Sequence, residues 1–262
     1  MSDDSAGQRR FQCPADGHRE QPEIPPRSAS TISIVMPLGF QPQYRYPLIV
    51  WLHSGGDNEQ QVRRIAPHIS GRNYIHVGVR GVQATDVRGQ QFDWPESRRA
   101  TEAACRSVAD AIETVTQSCS IHHQRIIVAG YESGASMACR VALAMPDLFA
   151  GVVRMGGHFP SRERLLADWK SLRRRRLPML WQQAVDGVGA DHGQLADDLQ
   201  FAQSIQAKLD VRQYLSDDLM YEMVLRDIDR WCFDTIFQPS AAPSSDAVST
   251  ISDTVPIEFS NN

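Results

Sequence analysis

The chain predicts a doubly wound α/β domain on a mostly parallel sheet, and three observations carry that expectation. Short apolar, β-branched runs recur along it. Longer segments with a 3.6-residue apolar period separate them. No segment repeats. Strands covered by helices on both faces read as near-continuous apolar runs. Strands alternating with amphipathic helices imply βαβ units.

In chain order, strands are expected at 31–36, 47–53, 74–80, 125–129, 151–155, 178–183 and 211–214. Three helical stripes are legible. The first is Ala100, Ala104, Val108, Ala111 and Val115. The second is Leu195, Leu199, Ala202 and Ile205. The third is Tyr221, Val224, Ile228, Trp231 and Ile236. Each places its apolar side chains on one helical face. In such sheets ligands bind outside the carboxyl ends of the strands, so chemistry is sought in those loops.

Residues 1–28 and 239–262 are expected to be disordered tails around one domain at 29–238. The first lacks periodicity and the second is rich in Ser, Thr, Asn and Pro. The 262 residues carry a net charge of −4. The first tail holds four basic and five acidic side chains and the second three acidic ones, which leaves a domain with 23 of each. That balance excludes a strongly basic nucleic-acid binder. No run of 18 apolar residues suggests a membrane span, and the polar start lacks the apolar core of a secretory signal. Five scattered cysteines without a Cys-x-x-Cys pair fit a reducing cytoplasm. No cofactor and no metal are expected.

Two loops carry the chemistry. The first, Leu52-His53-Ser54-Gly55-Gly56-Asp57, follows an apolar strand. Its glycines allow a sharp turn that presents backbone N–H groups to an anion. A loop of this kind supplies an oxyanion-hole donor in α/β-hydrolases. His53, Ser54 and Gly55 are therefore candidate ligand contacts. The second runs Ala129-Gly130-Tyr131-Glu132-Ser133-Gly134-Ala135 between a β-rich run and a helical pattern. It has the form of a nucleophile elbow, Gly-x-Ser-x-Gly, but Glu132 stands midway between the glycines and Ser133 one position later.

Residues 29–238 resemble the phospholipase/carboxylesterase group of α/β-hydrolases, which includes acyl-protein thioesterases. PLIVWLHSGGDNE (47–59) is similar to that group's oxyanion strand and loop, and RIIVAGYESGASMACRVAL (125–143) to its elbow and following helix. PDLFAGVVRMGG (146–157) resembles the next strand, and YLSDDLMYEMVLRDIDRW (214–231) the histidine loop and last helix. The resemblance implies an α/β-hydrolase fold with Glu132 at the serine position, Asp218 at the histidine position and Asp186 at the acid position.

A serine triad needs a base that takes the nucleophile's proton and returns it to the leaving group. Two carboxylates do not reproduce that relay. The reading is therefore a degenerate pseudo-hydrolase that binds a small acyl-type ligand, or a protein partner reached through cleft or tails. The alternative is an active ester or thioester hydrolase using Glu132 or Ser133 with a relocated histidine. His158, in a strand-end loop, is the preferred base, with His192 near Asp186 the other. Ser133 is otherwise an oxyanion N–H donor.

Glu132 also gains as a carboxylate at a helix N-terminus, where it is expected to fold into the remnant oxyanion hole. Convergence of Glu132, Asp186 and Asp218 would force proton sharing, an arginine partner or a cation. Trp94 in Phe92-Asp93-Trp94-Pro95 is expected at the pocket rim or in plain packing. The arginine run at 173–176 reads as a solvated loop.

Overall fold

The computed structural model describes residues 32–160, 168–185, 192–216 and 218–237. Both tails, Asp186 and Asp217 lie outside them, as does the side chain of His192.

The strands are β1 (Ile32–Val35), β2 (Tyr46–Leu52), β3 (Ile75–Val79), β4 (Gln83–Ala84), β5 (Phe92–Asp93), β6 (Ile121–Tyr131), β7 (Gly151–Met155), β8 (Pro178–Ala184) and β9 (Lys208–Tyr214). The helices are α1 (Gln61–Ile69), α2 (Arg98–Ser118), α3 (Ser133–Ala144), α4 (Trp169–Arg175), α5 (His192–Ser204) and α6 (Glu222–Trp231). Seven strands form one sheet in the order β1-β3-β2-β6-β7-β8-β9. Only β1 runs antiparallel to its neighbour. This is the doubly wound, mostly parallel architecture that the alternating pattern implied, and it agrees with the α/β-hydrolase fold that the resemblance implied.

Period-2 alternation divides β2 between two cores. Leu48, Val50 and Leu52 join a layer with Val108 and Ala111 of α2 and Val141 of α3. Ile49 and Trp51 face Val62 and Ile65 of α1 and Val224 and Ile228 of α6. Every residue of β2 is buried, which is why it reads as an unbroken apolar run.

Three elements depart from expectation. β6 begins at Ile121, four residues early, with an irregularity in its register between Tyr46 and Leu48 of β2. β9 begins at Lys208 because it is an edge strand: Lys208, Asp210 and Arg212 alternate with apolar neighbours and carry no apolar run. The third stripe is not one helix. α6 ends at Trp231 and a π-helical turn, Cys232–Phe237, places Ile236 under the start of β7. The hairpin of β4 and β5 was not legible as strands, since each has two residues.

Candidate functional site

The carboxyl ends of β2, β6 and β7 meet at one place. β6 turns into α3 at Glu132, which has φ 50° and ψ −116°. L residues rarely adopt that region, at a cost of about 1–3 kcal/mol. Neighbouring contacts hold it. The Glu132 N–H donates to the Met155 carbonyl at 2.9 Å, and the Glu132 carbonyl accepts the Ser136 N–H at 3.0 Å. Close approach then requires glycines. A Cβ on Gly130 would lie 2.4 Å from the Gly134 carbonyl oxygen, and one on Gly134 would lie 2.2 Å from that of Leu52. Gly157, at φ 61°, crosses the Glu132 carbonyl with room for no Cβ.

The Glu132 side chain is exposed. Its carboxylate acts on the neighbouring Tyr131 hydroxyl, which also donates to Asp218 Oδ1 at 3.1 Å. Burial, and then these two carboxylates, push the Tyr131 phenol well above its ordinary value. Asp218 Oδ1 also accepts the Met220 N–H at 2.8 Å. Tyr131 thus links the Glu132 and Asp218 carboxylates. Among the described residues no group of three His, Cys, Asp or Glu side chains is arranged to hold a metal ion.

Ser133 opens α3, and its hydroxyl donates to Asp93 Oδ1 at 2.7 Å. The same oxygen accepts the Trp94 N–H at 2.7 Å. The Ser133 hydroxyl is therefore committed to a carboxylate. Trp94 is buried and its indole N–H donates to the His53 carbonyl at 2.9 Å. It supports the loop from inside, which is the packing alternative and not the rim contact.

His53 is wholly buried. Its Nε2 accepts the Gly81 N–H at 2.8 Å, so the proton sits on Nδ1 and is donated to the Ser54 carbonyl at 2.7 Å. Burial pushes its pKa down, against the Ser54 contact and nearby acids. Both ring nitrogens are occupied, so His53 is a strut of the loop and meets neither base nor ligand. Ser54 is clasped by Gln61: its N–H donates to Gln61 Oε1 at 3.3 Å and its hydroxyl accepts from Gln61 Nε2 at 3.0 Å. Gly55 packs on the Asp93 carboxylate, 3.1 Å from where its Cβ would be.

His158 lies in the loop after β7. Its N–H donates to Ser136 Oγ at 3.0 Å, its Nδ1 lies 3.5 Å from that oxygen, and its Nε2 pairs with Glu96 Oε1. Arg140 holds the other Glu96 oxygen at 2.7 Å. Burial would raise the Glu96 carboxyl, but Arg140 and then His158 outweigh it and hold it below the usual range.

Sequence reasoning missed Gln61, Glu96, Ser136 and Arg140, and it placed Asp93 in a rim motif without its contact to Ser133. Only Arg140 left a signal, a lone cation within the apolar run 137–143. Glu96 and Ser136 act through contacts at long sequence separation, as Asp93 does across the 40 residues to Ser133, whereas Gln61 clasps Ser54 only seven residues away.

Sheet order, helix placement and a strained strand–turn–helix at the carboxyl ends together define an α/β-hydrolase domain. Residues 46–180 match the phospholipase/carboxylesterase family, and the chain belongs to that family. A protein of Nocardia uniformis subsp. tsuyamanensis named as an esterase, NocK, is 28% identical over 121 residues, covering 44% of this chain. The match spans about a third of NocK, 34% of its length. The Bacillus cereus carboxylesterase superposes with a TM-score of 0.61 at 12% identity, over 80% of this chain and 96% of that one. Arabidopsis thaliana SOBER1 gives 0.58 at 16% identity, over 73% and 99%. At such identities the structures establish the fold.

Proposed function

We propose that this protein is a degenerate member of its family whose cleft binds a small acyl-type ligand or a protein partner without serine-hydrolase turnover. One observation carries the reading. The strained tip at Glu132 bears a carboxylate faced by the Tyr131 hydroxyl and Asp218, so among the described residues there no imidazole takes a nucleophile's proton and delivers it to a leaving group. Ser133 supports the same conclusion through its commitment to Asp93. We place the protein in the cytoplasm, on the four described cysteines, all free. No helix among the described residues is long and apolar enough to cross a membrane.

The test is a screen of short p-nitrophenyl esters and thioesters with a fluorophosphonate serine probe. The wild type should neither turn over substrate nor label. Glu132→Ser combined with Asp218→His should gain esterase activity, since the scaffold would regain the two missing groups. Wild-type turnover abolished by Glu132→Ala or Ser133→Ala overturns the reading.

A second reading, an active hydrolase, is favoured by a different observation. His158 has the orienting carboxylate that a general base needs, Glu96, itself held by Arg140. In that reading the Glu132 carboxylate attacks the acyl carbon and expels the alcohol or thiol, which takes a proton from solvent, and His158 deprotonates the water that opens the resulting anhydride at the Glu132 carbonyl, releasing the acid and restoring the carboxylate. Turnover lost in both Glu132→Gln and His158→Ala, with oxygen-18 from water appearing in Glu132 after one cycle, identifies it.

A further inference from the structure

The opposite end of the sheet holds a groove of about 750 Å³ that the cleft does not reach. It lies at the amino ends of the strands, where Tyr46 and Pro47 open β2 and Arg125 lies near the start of β6. Its walls include Leu38, Tyr44 and Phe233, all exposed large apolar side chains. Arg72 and Arg125 line it as well, and the Arg125 guanidinium sits 5.0 Å over the Phe237 ring. The lining carboxylate, Asp229, accepts the Tyr74 hydroxyl at 2.6 Å and Asn73 Nδ2 at 3.1 Å on Oδ1 and offsets one of the two arginine charges, which leaves a net positive lining. Among the described residues Arg72 has no ion-pair partner. The positive field extends beyond the groove: besides burial, Arg125 and Arg45 hold the His122 imidazole below its ordinary value. An occupant of this groove should therefore be apolar and acidic together.

We infer that the groove is the docking site of the chain's own segment 239–262, with Ile257 and Phe259 in the apolar floor and Glu258 at the arginine rim. Three observations select this occupant. The described chain ends at Phe237, itself a wall of the groove. The segment carries Asp246, Asp253 and Glu258 and no basic residue, which complements Arg72 and Arg125. Its apolar residues gather at Val255, Ile257 and Phe259, and in extended chain Ile257 and Phe259 share one side while Glu258 takes the other. The intervening residues reach up to about 60 Å extended, so length does not limit the return, and tethering keeps the local concentration in the millimolar range. The segment before β1 is a poorer fit. It carries mixed charge and enters at Ile32, which pairs with Val79 at the far end of β3.

Hydrogen–deuterium exchange on the full chain tests this. In the wild type, amides of 255–259, 38–46 and 233–237 should exchange more slowly than in the Ile257→Asp/Phe259→Asp variant, by about tenfold or more, as expected for exposing two apolar anchors. These substitutions lie outside the domain and leave its folding untouched. Arg72→Glu should remove the protection, and adding Glu258→Arg to it should restore it. Identical exchange in wild type and tail variant overturns the inference. Protection that disappears on dilution also overturns it, because a second copy then supplies the segment.

Discussion

His76 shows what burying one titratable side chain does to the protein. It is the second residue of β3, buried, with no hydrogen-bond partner for Nε2, and burial pushes its pKa down to about 3. The folded chain keeps it neutral, while the unfolded chain takes up a proton below 6.5. Stability is therefore undiminished above pH 6.5 and falls as the pH drops from 6.5 toward 3, by about 2 kcal/mol at pH 5. His53, also lowered by burial, acts in the same direction. Urea unfolding of His76→Leu at pH 7.5 and pH 5 should show a difference smaller than the wild type's by about that amount. An unchanged difference would mean that water reaches the ring. The burial of β3 was legible in the sequence. The missing partner was not, because it depends on what α1 and β1 place opposite.

At the scale of elements, α3 determines where Glu132 stands. The helix starts against the end of β2, and Gly134 is the contact: a Cβ there would overlap the carbonyls of Leu52 and His53, at 2.2 and 2.3 Å. Backbone atoms cannot swing aside as a side chain does. Gly134→Ala should destabilise the fold by about 3 kcal/mol, read by chemical denaturation, and a loss below about 0.5 kcal/mol would show that the loop of His53 gives way freely. The spacing of Gly130 and Gly134 announced a tight turn in the sequence. Gly157, which completes it from the β7 loop, carried no such signal, because its partner lies at Glu132 in another segment. Edge position explains β9 in the same terms: both of its faces are partly exposed, which removes the apolar run that identifies a central strand.

Across the whole molecule, one sheet separates two apolar layers, and neither can persist alone because β2, β6, β7 and β8 each contribute to both. Trp231 fills the layer beneath α6 and abuts Gly151 of β7. Trp231→Ala should cost about 3–5 kcal/mol and lower the melting temperature by roughly 10 °C. Calorimetry should record a single transition, and two separated transitions would show that the layers unfold independently.

The sequence by itself determined the class of fold, most of the alternation of strands and helices, and the presence of Glu132 rather than a serine midway between Gly130 and Gly134. These follow from local periodicity and from spacing within single loops. Only the tertiary structure decided which groups meet there. It joined Tyr131 to Asp218, Ser133 to Asp93, and His158 to Ser136 and Glu96, and it enclosed His53 between Gly81 and Ser54. Side-chain partnerships across tens of residues depend on where the sheet brings strand ends together, and no local pattern encodes them.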